Sequence, residues 1–329
     1  MTVSFRQPRI RSALFVPAQR ADFIAKADRR GADAVILDLE DAVSESGKSS
    51  ARANAGTWLR GRTVEQSPVA TVRVNAIGEG ATERDLDAVV HPSLLAVLVP
   101  KVRSAQEIVE VAELLSWFEG KRGMQRGAVR IWPIIETAEA VRDANAIAAA
   151  SARVAYMGGG TSEQGDLARE IGFEWSVDGA ETLYIRSHVL VAARAAGVEN
   201  PMSGLVSGLA DVDEVRAFAL SARRLGYAGM MVIHPAHVAV VNEVFTPTAA
   251  QLREATRMIA VLDRAGQDGF GAVNHDGRMI DIAMARTAVA MMEDASRTDA
   301  ARTDAARTDA ARTEKGRPQP ARGNLAETF

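Results

Sequence analysis

Eight short apolar runs constrain this chain more than any other feature. Each is cut off by a charged or polar residue, or by glycine, and each is followed by a helix-like stretch. Ser12-Ala13-Leu14-Phe15-Val16-Pro17 is the first. The second, 33–39, has Ala34-Val35-Ile36-Leu37 as its buried part and carries Asp38, Glu40 and Asp41 at its end. Run 69–74 ends at Arg73 and Asn75, run 94–99 at Pro100 and Lys101, and run 129–135 at Glu136. Run 153–157 opens onto Gly158-Gly159-Gly160 and then Gly165-Asp166; run 201–206 is the seventh, and run 229–233 ends at His234-Pro235. Continuous β-branched runs are how strands buried on both faces read. Strands alternating with helices imply parallel pairing. A count of eight predicts an α/β fold, a closed (β/α)8 TIM barrel, with its active site at the C-terminal strand ends. The charged residues fall at those ends.

The helix-like stretches carry their own punctuation. Residues 21–30 are closed by Gly31, and 182–196 are stopped by Gly197. Ser104 with Glu107, Thr82 with Asp85 and Thr248 with Gln251 have capping-box spacing. A helix follows Glu136 at once, over 138–150. The spacing thus divides the chain into a catalytic barrel over 1–266, a lid or arm over 267–295, and a tail over 296–329. The arm is punctuated by Gly269, Gly271 and Gly277 and carries Met279-Ile280-Asp281 before a short helix. The tail repeats Arg-Thr-Asp-Ala-Ala at a period of five, which matches neither a helix face nor a strand. It is almost without large apolar residues and reads as a low-complexity, disordered segment.

Composition narrows the chemistry. With 329 residues, 47% of them hydrophobic, the chain has enough apolar surface for a full core. A net charge of −3 argues against a nucleic-acid-binding surface. The absence of cysteine excludes thiolate metal sites, disulfides and Cys nucleophiles. No run approaches the ~18 apolar residues of a membrane span, and 1–11 has no apolar signal-peptide core. The expected location is the cytoplasm.

Glu136 at the end of a buried strand costs free energy unless it meets a cation. Asp166 supplies a second carboxylate just past the next strand. Two hard oxygen ligands without Cys or His suit Mg2+. The plainer alternative pairs Glu136 with a neighbouring arginine and makes Asp166 a helix cap. Likewise Arg73 can pair with the Asp38–Asp41 cluster, Asp281 can serve as a helix N-terminal charge, and His234 suits a structural place at the barrel rim.

The segments Arg11-Ser-Ala-Leu-Phe-Val-Pro17, Ala34-Val-Ile-Leu-Asp-Leu-Glu-Asp-Ala-Val43, Val72-Arg-Val-Asn75, Pro133-Ile-Ile-Glu-Thr137 and Ile233-His-Pro235 resemble the citrate lyase β-subunit-like family. That group, within the HpcH/HpaI aldolase superfamily, includes malyl-CoA and citramalyl-CoA lyases. The resemblance runs from Arg11 to about Val289. It implies that Glu136 and Asp166 hold Mg2+, that Arg73 binds a 2-oxo acid carboxylate, and that Phe15, Arg20 and Lys26 contact a CoA thioester. It also implies that Asp281 lies on a lid over a neighbouring subunit's site, in a homo-oligomer, a trimer or hexamer. One departure stands out. Where the family commonly reads Gly-Ala-Glu-Asp-Leu, this chain has Gly158-Gly-Gly-Thr-Ser-Glu-Gln-Gly-Asp-Leu167, which leaves Glu163 as a rival to Asp166.

The implied reaction cleaves a 3-hydroxyacyl-CoA, of the malyl-, citramalyl- or citryl-CoA type, into an acyl-CoA such as acetyl-CoA and a 2-oxo acid. Mg2+ would act as Lewis acid and template, Arg73 as the carboxylate partner, and Asp281 as the acid or base at the acetyl carbon. Two other readings stand beside it: a citrate lyase β-type subunit acting on a carrier-protein thioester, and a non-catalytic CoA-ester-binding protein.

Overall fold

The computed structural model describes residues 7–63, 65–78, 80–176, 179–209, 211–267, 271–275 and 277–296. The low-complexity repeat from Arg297 onward, and Gly269 of the arm, lie outside the described residues.

Eight parallel strands close into a barrel in chain order: β1 Ser12–Pro17, β2 Ala34–Asp38, β3 Val69–Arg73, β4 Leu94–Val99, β5 Arg130–Ile135, β6 Tyr156–Gly159, β7 Asn200–Ser203 and β8 Gly229–Val232. β8 returns to pair with β1 through Ser12↔Met230, so no edge is left unpaired. The apolar runs are continuous because both strand faces are buried. Ala13, Ala34, Ile36, Leu98, Trp132, Ile134, Tyr156 and Met231 belong to one cluster, which fills the barrel. Alternate neighbours such as Leu14, Val35, Leu37, Val97, Val99, Ile131 and Val232 pack in a second cluster with the surrounding helices. The interior is packed solid at its lower end. Trp132 and Tyr156 stack with centroids 5.2 Å apart, and the Tyr156 hydroxyl donates to the Pro8 carbonyl at 3.1 Å. Ile10 is fully buried in the same cluster.

The β5–β6 seam differs from its expected form, and proline is the physical reason. Pro133 has no N–H to give to a ladder. Pairing runs as an isolated bridge Ile131↔Val154 and resumes at Ile134↔Gly158, with one more residue on the β6 side. The sixth strand therefore begins later than the apolar run suggested, and Gly158 and Gly159 are part of it.

Several helix boundaries also shift. The helix expected over 138–150 is broken at Asp143 into Ala138–Arg142 and Ala144–Ala149. Ser104 caps its helix as expected, accepting from the Glu107 amide, and Thr248 and Gln251 bond reciprocally. Thr82 and Asp85 do not form a capping box. The helix Thr82–Val89 starts after Ala81. Asp85 is instead fully buried and accepts from the Asn75 amide and from Arg52. A buried carboxylate takes the strongest donors within reach, and these are two groups outside its own helix turn.

After the barrel, a helix spans Ala249–Gln267. The expected loop of the arm is an antiparallel hairpin, β9 Ala272–His275 with β10 Arg278–Asp281. A helix over 282–296 follows, longer than the sequence suggested. Its Met284, Thr287, Ala288 and Met291 line an apolar groove with Ala255 and Met258 of the preceding helix. Asp294 near its end ion-pairs with Arg9, just before β1. This C-terminal helix is thus anchored at the N-terminal end of the barrel strands.

Candidate active site

A cavity of about 430 Å3 opens at the C-terminal ends of the strands. Phe15, Asp41, Arg73, Lys101, Glu136 and Asp166 stand in its wall, above Ile134 and Met231 of the barrel interior. The fold brings these distant residues together because each closes or follows a different strand.

Glu136 directly follows β5 and is 9% exposed. Its Oε1 accepts from the Lys101 amide at 2.7 Å. Burial pushes its carboxyl up from 4.5 to about 7; the Lys101 amide and the Arg73 charge oppose that rise, and Glu40 and Asp166 add to it. Gly160 explains how the next loop comes so close. A Cβ at that position would stand 2.4 Å from the Glu136 Cβ, a distance no pair of carbons tolerates. Gly204 does the same one strand further on, where a Cβ would stand 2.1 Å from the Thr161 carbonyl oxygen.

Asp166 opens the short helix Asp166–Ile171 and is paired with Arg169 of the same helix. Its Oδ2 lies 3.9 Å from the Lys101 ammonium. Glu163 is exposed and is not among the cavity-lining residues, whereas Gln164 and Asp166 are.

Arg73, at the end of β3, is held in a fork by Asp38: Nε donates at 2.7 Å and Nη2 at 2.6 Å. Its remaining Nη1 is 3.1 Å from Glu40, and the guanidinium lies 5.0 Å over the Phe15 ring. The ion pair with the Asp38–Asp41 cluster is therefore present, and Arg73 still faces the cavity. Burial opposes its charge, but Asp38 and Glu40 outweigh that and raise its pKa further. Asp38 is itself fixed by accepting from the Glu40 and Ala42 amides. Burial raises the Glu40 carboxyl, against the pull of Arg73 and Lys101.

The sequence placed Lys101 among the charged residues at the strand ends but gave it no role of its own. Its ammonium reaches Glu40 at 2.5 Å and Asp41 at 2.9 Å, while its own amide holds Glu136. No glycine, asparagine or aspartate signalled the turn it makes. Thr161, Ser162, Gln164 and Leu205 also line the cavity and were not anticipated.

Three expected residues lie elsewhere. Arg20 is half exposed on the loop after β1 and is engaged by Asp22 and the Phe23 ring. Lys26 is exposed on the helix Ala21–Ala27. Neither lines the cavity. Asp281 does not either: its Oδ1 accepts from the Met284 amide at the start of the C-terminal helix. His234 likewise caps a helix, its Nδ1 accepting from the Ala236 amide.

The donor set fits a hard divalent cation. With all groups ionised, Asp38, Glu40, Asp41, Glu136 and Asp166 face Arg73, Lys101 and Arg169, a deficit of two positive charges. No cluster of three or more Asp, Glu or His suited to a metal occurs among the described residues. Glu136 and Asp166 would therefore leave most of the coordination to water and substrate, which is the habit of Mg2+. No helix among the described residues is long and apolar enough to cross a membrane.

The chain is 37% identical over 287 residues to a citrate lyase subunit beta-like protein of Deinococcus radiodurans, covering 85% of this chain and 96% of that one. It is 33% identical to a (3S)-malyl-CoA thioesterase of Cereibacter sphaeroides, over 86% of this chain and 94% of the relative. Among solved structures, CitE of Mycobacterium tuberculosis in complex with magnesium, acetoacetate and coenzyme A superposes with a TM-score of 0.69 at 29% identity. The match covers 89% of this chain and all of that one. The family profile described as HpcH/HpaI aldolase/citrate lyase matches residues 11–235. The chain belongs to the HpcH/HpaI aldolase/citrate lyase family, a family of lyases.

Proposed function

We propose that this protein is a Mg2+-dependent CoA-ester carbon–carbon lyase. It reversibly cleaves a 3-hydroxyacyl-CoA of the malyl-, citramalyl- or citryl-CoA type into an acyl-CoA, such as acetyl-CoA, and a 2-oxo acid. The observation that carries this reading is the convergence of Glu136, Asp166 and Arg73 on one cavity. The relative crystallised with magnesium, acetoacetate and coenzyme A supports the ligand classes.

Glu136 and Asp166 would hold the cation. When bound, Mg2+ supplies Lewis acidity toward the substrate hydroxyl, which becomes the keto oxygen. Arg73 receives the carboxylate of the oxo acid half. Asp38 takes the Nε hydrogen and one Nη2 hydrogen, which leaves the second Nη2 hydrogen and Nη1, 3.1 Å from Glu40, to meet substrate. Phe15 packs beside it against the thioester end. Arg20 and Lys26, on the segment following β1 and outside the cavity wall, would contact the CoA portion.

Cleavage releases the hydroxyl proton and breaks the C2–C3 bond, leaving a thioester enolate whose acetyl carbon takes up a proton, and Asp281 would deliver it. In its own chain Asp281 caps a helix and lies outside the cavity wall. The assignment therefore needs a second copy, which makes the active species a homo-oligomer, a trimer or hexamer. The test is a panel of malyl-, methylmalyl-, citramalyl- and citryl-CoA with and without Mg2+, following release of the 2-oxo acid and of the acyl-CoA, propionyl-CoA from methylmalyl-CoA and acetyl-CoA from the others. Turnover of a free CoA ester that stops on chelation supports the reading. Activity only on a carrier-bound thioester would favour the citrate lyase β-subunit role, which a relative of that name in Haemophilus influenzae makes the second candidate. Binding without turnover would leave a CoA-ester-binding protein.

A further inference from the structure

Lys101 has the one non-glycine backbone with positive φ among the described residues, at 52°. A side chain in the left-handed region is sterically unfavourable unless the surroundings hold it there. Here they do so from both ends of the residue. The backbone turn aims its N–H at Glu136 Oε1, 2.7 Å away. The side chain crosses the rim to Glu40 at 2.5 Å and Asp41 at 2.9 Å, and stops 3.9 Å from Asp166. One residue thus touches the end of β2, the residue after β5 and the edge of the loop after β6. A third of its side chain is exposed to the cavity mouth.

We infer that Lys101 is a positioning residue that serves as a tethered counter-cation: it holds the carboxylates of the cavity in place without a metal, and its charge weakens the divalent cation's hold on them. The inference rests on the reading of Glu136 and Asp166 as the cation site. Without Lys101 the four carboxylates it reaches, Glu40, Asp41, Glu136 and Asp166, would repel one another and the loops that carry them would spread. With it, the carboxylates are kept in register, but an arriving cation meets a fixed positive charge a few ångströms from its ligands. Coulomb's law puts the second effect at roughly tenfold or more in affinity, even with water-like screening.

The wild type and four variants, metal-free after chelation, test this by calorimetric titration with MgCl2 and by melting temperature. Lys101→Met should lower the melting temperature of the metal-free protein and tighten the magnesium Kd about tenfold. Lys101→Arg keeps the charge and should hold the wild-type Kd to within about twofold. Lys101→Gly should melt above Lys101→Ala, because both lack the ammonium and only glycine is relieved of the left-handed backbone. A Lys101→Met protein that binds magnesium as the wild type does, or more weakly, overturns the inference and leaves the metal reading intact. A wild type that binds no magnesium overturns both. Equal melting of the Gly and Ala variants shows that the backbone turn is unstrained and overturns that part of the account.

Discussion

Glu136 shows what burial does to a single group. Its carboxyl is raised from 4.5 to about 7, so between those values the folded metal-free protein keeps a proton that the unfolded chain has lost. The native state binds more protons in that window, and its stability falls as pH rises through it. A shift of this size corresponds to about 3 kcal/mol, or roughly 5–10 °C in melting temperature. The metal-free wild type should lose that much relative to Glu136→Gln between pH 4.5 and 7.5, as read by melting curves in EDTA. The same variant should bind no magnesium in calorimetry while remaining folded, because an amide is a poor ligand for a hard cation. Full activity in Glu136→Gln would remove it from the cation site. Arg73→Lys keeps the charge but cannot make the fork to Asp38, and kcat/KM should fall at least about 100-fold. A near-normal value would make Arg73 a purely structural ion pair. Both residues were legible in the sequence because a charge that ends an apolar strand is conspicuous. Lys101 was as visible at its strand end, but its role was not, since that depends on a backbone angle and on partners 35 and about 60 residues away in the chain.

At the scale of the element, the barrel strands were readable because burial on both faces leaves unbroken apolar runs. The exceptions have local causes. β6 begins late because Pro133 interrupts the ladder beside it, and Asp85 leaves its helix cap for Asn75 and Arg52. The glycines around β6 were legible as permissive residues, but the contact that demands one of them was not. Gly160 is required for space, since its backbone is not left-handed and a Cβ would meet Glu136. Gly160→Ala should therefore push the loop or the carboxylate aside. An ångström of misplacement at a reacting centre costs on the order of 100-fold in rate, whereas overpacking costs about 1–3 kcal/mol in stability. On one energy scale the two are similar, since 100-fold in rate is about 2.7 kcal/mol, so activity assays should show a fall in kcat/KM of that order while melts show the protein still folded. Unchanged kcat/KM would mean that the β6 loop can retreat without disturbing the site.

For the molecule as a whole, the arm is the part that sequence reading reached least. Periodicity was silent on the hairpin 272–281, and the anchoring of the last helix at the barrel's N-terminal end depends on the Arg9–Asp294 pair, 285 residues apart. That placement leaves Asp281 outside its own cavity, so the proposed role can be tested by complementation. Asp281→Ala and Arg73→Ala should each be inactive alone. Mixed and allowed to exchange subunits, they should recover part of the activity, because some sites then draw an intact Arg73 and an intact Asp281 from different chains. Exchange without recovery, or an active monomer, would rule out a shared site. The stacked Trp132 and Tyr156 have a kinetic meaning of their own. With the barrel sealed below the cavity by these rings and Ile10, everything that enters must leave by the same door. An oxo acid held against Arg73, as proposed, would then be trapped until the larger acyl-CoA had departed. Departure in that order makes the oxo acid a competitive inhibitor of cleavage and the acyl-CoA a noncompetitive one, and steady-state inhibition patterns would reveal the reverse if the queue ran the other way.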